Sequence, residues 1–119
     1  MTTTPQSAKR GDLVLILFPN SNLRTAKTRP ALVVQADNLA TGLPQVIVAM
    51  ITSRSSRANH PSRVAIEVAT PIGRRSGLLT DSVVATDNLA TILEAAIGRA
   101  IGALPMTDVD TALRHTLKL

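Results

Sequence analysis

Cysteine is absent from the 119-residue chain, and histidine occurs only twice, at His60 and His115. A disulfide framework is thereby excluded, as is a zinc cluster with the ligand spacing such sites need. A reducing cytoplasm fits that composition. Aromatic residues are nearly missing as well: Phe18 is the only one. Bases therefore cannot be stacked on several rings, and the core has to be filled by Val, Ile, Leu and Ala. No apolar run approaches the ~20 residues of a membrane span, and "MTTTPQSAKRG" at the N-terminus has no apolar segment of a signal peptide. There is also no Gly-rich phosphate loop, no histidine pair, no carboxylate pair at an informative spacing and no activated-cysteine arrangement. Metal-assisted hydrolysis is disfavoured, and neither a metal site nor a cofactor is expected.

What is present suits one domain. A chain of 119 residues that is 45% hydrophobic can bury one core, and the composition divides it into a flexible tail, 1–10, and a single domain, 11–119. The formal net charge is +5, and eight of the thirteen Lys and Arg residues fall in three segments that read as connections. These are Arg24, Lys27 and Arg29; Arg54, Arg57 and Arg63; Arg74 and Arg75. Basic loops on an apolar scaffold suit a polyanionic ligand, although charge kept in solvent for solubility would give the same composition.

Five short apolar runs read as strands: "DLVLILF" (12–18), "ALVVQA" (31–36), "QVIVAMI" (45–51), "VAIEV" (64–68) and "DSVVAT" (81–86). A loop of about ten residues follows the first, and loops of that length are often functional. "TPIGRRSG" (70–77) reads as a turn-rich connection, and "LATILEAAIGRAIGAL" (89–104) suits either strand or helical turn. The final segment is the clearest helix. Thr107 is placed to cap it, Asp108 and Asp110 sit in its first turn, and Val109, Ala112, Leu113, Thr116 and Leu117 form one mostly apolar stripe. "DNLAT" occurs at 37–41 and again at 87–91, but the flanks do not match and no repeat architecture follows. Short strands at this spacing, with little helix before the end, point to a mainly β, strongly bent sheet or small barrel.

The chemistry on offer is arginine beside hydroxyl groups at strand ends. Arg29 immediately precedes one strand, and Thr52 and Ser53 immediately follow another; antiparallel neighbours would place them at one edge of the sheet. Arginine can hold a phosphate bidentately, and a threonine hydroxyl can donate to a phosphate oxygen. RNA carries its own nucleophile, the 2′-hydroxyl, so its cleavage requires neither metal nor protein nucleophile. A charged strand boundary would leave the same residues, and His60 and His115 read as a solvated loop residue and a helix C-terminal cation.

Five stretches, taken in order, resemble the MazF/PemK-like toxins of bacterial type II toxin–antitoxin systems: "RGDLVLILFP" (10–19), "TRPALVVQ" (28–35), "VIVAMITSR" (46–54), "GLLTDSVVATDNLATI" (77–92) and "IGALPMTDVDTAL" (101–113). The resemblance implies an SH3-like barrel of the CcdB/MazF type with a C-terminal helix. It implies a cytoplasmic homodimer and a metal-independent, sequence-selective endoribonuclease, an mRNA interferase, that leaves 2′,3′-cyclic phosphate and 5′-hydroxyl ends on single-stranded RNA. Arg29 of "TRP" then matches the catalytic arginine and Thr52 of "ITS" the catalytic threonine. Asn20, Lys27, Thr28, Ser53, Arg54, Arg57 and Arg74 would form the RNA groove, which an acidic antitoxin segment would block. The approach "NSNLRTAKTRP" departs from many members in carrying no Glu, Gln or Gly between Pro19 and Arg29. Two alternatives stand beside this: a CcdB-like toxin that binds DNA gyrase without enzymatic activity, and a catalytically silent homologue that binds RNA or antitoxin.

Overall fold

All five expected apolar runs lie in or across strands of a computed structural model, which describes residues 8–19 and 26–119. Residues 1–7 of the expected tail, together with Asn20 and Arg24, lie outside the described residues. The strands are β1 (Asp12–Pro19), β2 (Ala26–Val33), β3 (Gln45–Thr52), β4 (Arg63–Ile66), β5 (Ser82–Leu93) and β6 (Ile97–Ala103). Two helices, α1 (Pro71–Ser76) and α2 (Thr107–Leu117), and two 3-10 turns, Ser55–Arg57 and Glu94–Ala96, complete the described elements. The ambiguous 89–104 stretch is resolved as the end of β5, the second 3-10 turn and β6.

The strands form one antiparallel sheet in the order β4-β5-β3-β2-β1-β6. That order cannot be laid flat. β5 and β6 are separated by β3, β2 and β1, about 19 Å at the usual strand spacing, yet only the three-residue turn Glu94–Ala96 joins them. Three 3-10 residues advance about 6 Å, so the sheet has to curl until its distant strands meet. Bulges supply the bend. The β3–β5 register jumps from Ala49↔Leu89 to Met50↔Ala85, leaving residues 86–88 of β5 unpaired with β3, and β1–β6 shifts twice.

Alternation along the strands loads both faces with aliphatic residues. One face carries Leu13, Leu32, Ala49, Ile51 and Val84, covered by Leu104 and by Val109 of α2. The other carries Val14, Ile16, Ala31, Val33, Val46 and Val48, onto which the curl brings Ala90, Ile92 and Ile97. This second cluster is the interior of a small barrel-like fold. The buried hydrophobic residues described are all Leu, Ile, Val or Ala, as an almost aromatic-free sequence requires.

Four local expectations change. Thr107 does not cap α2: the residue before the helix is Met106, with no side-chain cap, and the Thr107 carbonyl instead accepts the Thr111 hydroxyl at 3.2 Å. Leu117, the last residue of α2, falls off the docked stripe and is exposed, whereas the Thr116 hydroxyl lies 2.7 Å from that of Thr86, and Lys118 closes the helix at φ 57°. The connection at 70–77 contains a short helix. Thr70 Oγ1 accepts the Gly73 N–H at 3.0 Å, Pro71 occupies the first turn and Gly77 closes the helix at φ 75°. The pattern Thr-Pro then Gly carried that signal. Arg10, at the end of the expected tail, is anchored to the fold: its N–H donates to Asp37, its Nε to the Val34 carbonyl at 3.0 Å and its Nη2 to Asp110.

Candidate nucleic-acid interface

The "TRP" segment opens a cleft in the sheet. β2 stays paired with β1 from Leu32 down to Ala26, but pairs with β3 only through Ala31, Leu32 and Val33. The Val34 N–H donates to the Ile47 carbonyl of β3, so strand alternation directs residues 32 and 30 to the same side. Residue 30 is proline and has no N–H to continue that ladder. Beyond it β2 follows β1 while β3 follows β5, to which Thr52 is paired through Val83. The gap between them is an open cleft of about 1040 Å³.

Arg29 and Thr52 stand on its two walls. Continuing the Ala31↔Met50 register by two residues sets Arg29 opposite Thr52, on the same face of the sheet. The expected antiparallel relation therefore holds, with one correction: Arg29 lies within β2, not ahead of it, and the two strands have already parted. Arg29 is exposed and has no ion-pair partner among the described residues. Thr52 is half-buried, and its Oγ1 accepts the Arg54 N–H at 3.2 Å, leaving its own hydrogen to donate.

Of the other expected RNA-groove residues, Lys27, Thr28, Ser53, Arg54 and Arg57 line the same cleft. Arg74 does not: it lies in the last turn of α1, outside the cleft lining. Asn20 lies outside the described residues. The basic segments are also less loop-like than their composition suggests, since Lys27 and Arg29 belong to β2, Arg63 to β4, and Arg74 and Arg75 to α1. β-strand residues that alternate toward an open edge can be as polar as a loop, which is why local composition misplaced them.

Three further charged residues of the lining are not among the expected groove residues: Arg63, Asp87 and Arg99. Arg99 reaches the cleft because β6 pairs with β1 at Leu15, a neighbour that no local pattern announces. Among the described residues, Lys27, Arg29, Arg54, Arg57, Arg63 and Arg99 oppose a single lining carboxylate, Asp87. That carboxylate is tied to Arg63, with Nη2 to Oδ2 at 2.7 Å and Nε to Oδ1 at 3.3 Å. The hydrogen bond from Arg63 is the main cause holding Asp87 below its ordinary range, and the same bond raises Arg63. The pair's contribution is therefore complete above the ordinary carboxylate pKa and is lost only as pH falls through the lowered value. Neutral pH leaves it intact.

His60 and His115 are exposed, outside the cleft lining, with ring centroids 6.0 Å apart in an edge-on arrangement, and His60 Nδ1 accepts the Ser62 N–H at 3.1 Å. No group of three or more potential metal ligands occurs among the described residues, and no described helix is long and apolar enough to cross a membrane.

A basic cleft of this shape can hold a polyanion chain through its phosphates, with a donor hydroxyl and a guanidinium on its walls. Comparison with known proteins gives the site its context. The endoribonuclease MazF2 of Mycobacterium bovis is 36% identical over 107 residues, covering 87% of this chain and 90% of the relative. Among solved structures, the Mycobacterium tuberculosis toxin MazF-mt6 superposes with a TM-score of 0.69 at 24% identity, over 91% of this chain and 97% of that one. A MazE–MazF structure from Deinococcus radiodurans superposes with a TM-score of 0.71 at 17% identity, over 96% and 99%; at these identities the structures establish the fold. Residues 9–118 match the model of the PemK-like, MazF-like toxins of type II toxin–antitoxin systems, and the chain belongs to that family.

Proposed function

We propose that the protein is the toxin of a type II toxin–antitoxin pair, an endoribonuclease that cuts single-stranded mRNA without a metal ion, within one domain spanning residues 11–119. The observation that carries this reading is that Arg29 and Thr52 line the same basic cleft from neighbouring strands, in a chain whose relatives are named endoribonucleases. In the reaction the 2′-oxygen attacks the adjacent phosphorus, losing its proton. The bond from phosphorus to the 5′-oxygen breaks, and that oxygen takes up a proton. The products are a 2′,3′-cyclic phosphate and a 5′-hydroxyl.

Arg29 supplies charge where the phosphorane accumulates it, and Thr52 donates its free hydrogen to a non-bridging oxygen. Arg29 acts first as an electrostatic partner, its planar fork of donors matching the oxygens of a phosphate. Lys27, Thr28, Ser53, Arg54 and Arg57 hold neighbouring phosphates, and an acidic antitoxin segment inhibits by occupying the same cleft. The protein works in the cytoplasm as a homodimer. Gyrase inhibition is not favoured, because the curated relatives are ribonucleases by name.

The deciding experiment is incubation of a mixed-sequence single-stranded RNA with purified protein in EDTA, followed by end-group analysis. Cyclic phosphate ends are expected. Absence of cleavage across varied sequences by a folded protein rejects the ribonuclease. Binding should also weaken steeply with salt. A non-cleavable strand carrying 2′-deoxy sugars that engages five of the lining cations should lose affinity with a log–log slope of about −3 to −4. A slope near zero would show that phosphates do not carry the binding.

A further inference from the structure

Arg63 opens β4, and Asp87 sits on the β5 bulge, both on the cleft wall. Each of the three guanidinium nitrogens of Arg63 donates a hydrogen bond within the fold. Besides its two bonds to Asp87, its Nη1 donates to the Arg57 carbonyl at 3.2 Å. That carbonyl ends the 3-10 turn Ser55–Arg57, which has no buried residue to anchor it. The segment is tied back to β3 at its start, where the Arg54 N–H meets Thr52 Oγ1, and at its end by Arg63. Its other hydrogen bonds are short-range, such as Arg57 N–H to the Arg54 carbonyl and Ala58 N–H to the Ser55 carbonyl.

We propose that Arg63, locked by Asp87, is a positioning residue of the ribonuclease: it clamps the Ser55–Arg57 turn so that Arg54 and Arg57 face the RNA phosphates, and does not bind RNA itself. The proposal rests on the ribonuclease reading above. Asp87 cancels the charge of Arg63, and a carboxylate at that point repels phosphate, so the pair makes a poor phosphate ligand. A planar guanidinium can hold a bidentate carboxylate and a third acceptor together, which an ammonium cannot do in fixed geometry. The bulge at residues 86–88 is the device that brings Asp87 over the cleft: Thr86 is pinned there by N–H and hydroxyl bonds to the Ser62 carbonyl, at 3.0 and 2.6 Å. Arg63 is thus held from the β5 side while it holds the turn.

Asp87→Asn separates this role from its rival by sign. If Arg63 were a phosphate ligand held in reserve, removing the carboxylate would free it, make the cleft more positive and tighten RNA binding. A clamp predicts the reverse. kcat/KM should fall about tenfold, mostly through KM, because the displaced arginines bind substrate phosphates. Amide hydrogen exchange at Arg57 and Ala58 should accelerate, and Arg63→Lys should show the same pattern. Binding that is unchanged or tighter in Asp87→Asn, or a lysine variant as active as the native protein, overturns the clamp. The exchange measurement needs no substrate: unaltered protection at Arg57 and Ala58 rejects the clamp even if the native protein cleaves nothing, whereas a native protein that does not cleave rejects the ribonuclease reading.

Discussion

Arg29→Ala should lower the rate of RNA cleavage by about 100- to 1,000-fold, the usual cost of removing one preorganised donor from a transition state that gathers charge. Structural reasons support placing the loss in chemistry. Arg29 is exposed, its strand is held by its backbone pairing to β1, and no described side chain depends on its guanidinium. Surface substitutions of that kind usually change stability by less than about 0.5 kcal/mol. Thermal melting should therefore be unaltered while single-turnover cleavage collapses. Arg29→Lys restores charge without the planar fork and should recover only part of the rate. A melting temperature that fell along with activity would shift the explanation to folding, and full activity in Arg29→Ala would remove Arg29 from the mechanism. Thr52→Ala probes the facing wall. It deletes both the donor to phosphate and the acceptor of the Arg54 N–H, so its defect should include weaker RNA binding as well as slower chemistry.

The largest effect on stability is expected at Gly77, through which α1 docks on β6. A Cβ there would lie 2.0 Å from the Ile101 carbonyl oxygen, and the backbone stands at φ +75°, where L-residues are strained. The approach is mutual, since a Cβ on Gly102 of β6 would come within 2.3 Å of the Arg75 carbonyl. Gly77→Ala should cost on the order of 3 kcal/mol, from backbone strain plus forced separation of helix and strand. Gly42→Ala isolates the strain, because Gly42 has φ +78° but nothing within 4 Å of the added carbon. Its cost should be nearer 1 kcal/mol. Urea midpoints for the two variants measure the difference, and equal losses would mean that close packing of α1 contributes nothing. The result bears on the site as well, because residues Gly77, Leu78, Leu79 and Thr80, which follow α1, line the cleft.

The elements most readable from the chain were those whose signal is local. β3 was expected over 45–51 and runs Gln45–Thr52, and α2 lies where its apolar stripe and paired acids put it. β2 was expected to begin at Ala31 and begins at Ala26. "AKTR" has the composition of a loop, and only pairing with β1 makes it a strand. The site divides in the same way. Arg29 and Thr52 stood out as arginine and hydroxyl near the ends of apolar runs. Arg99 and Asp87 did not, because their place in the cleft depends on β6 folding back to β1 and on three unpaired residues in β5.

The repeated pentapeptide marks the boundary between the two kinds of information. "DNLAT" at 37–41 lies in the irregular connection between β2 and β3, with Asn38 and Ala40 at positive φ; the same five residues at 87–91 lie within β5. Local preference is identical in the two copies, so it cannot be what separates them. In the second copy Leu89, Ala90 and Thr91 are opposite Ala49, Val48 and Ile47 of β3, and this pairing imposes the extended backbone. By itself the sequence determined an aliphatic core, the type of most elements, the terminal helix and the Arg-Pro and Ile-Thr-Ser pair, because each depends on residue type and near neighbours. Tertiary structure alone decided the curl of the sheet, the split beside Pro30 and the gathering of six described basic side chains along one cleft. Those depend on which strands meet, and long-range hydrogen bonding and packing settle that after local propensity has had its say.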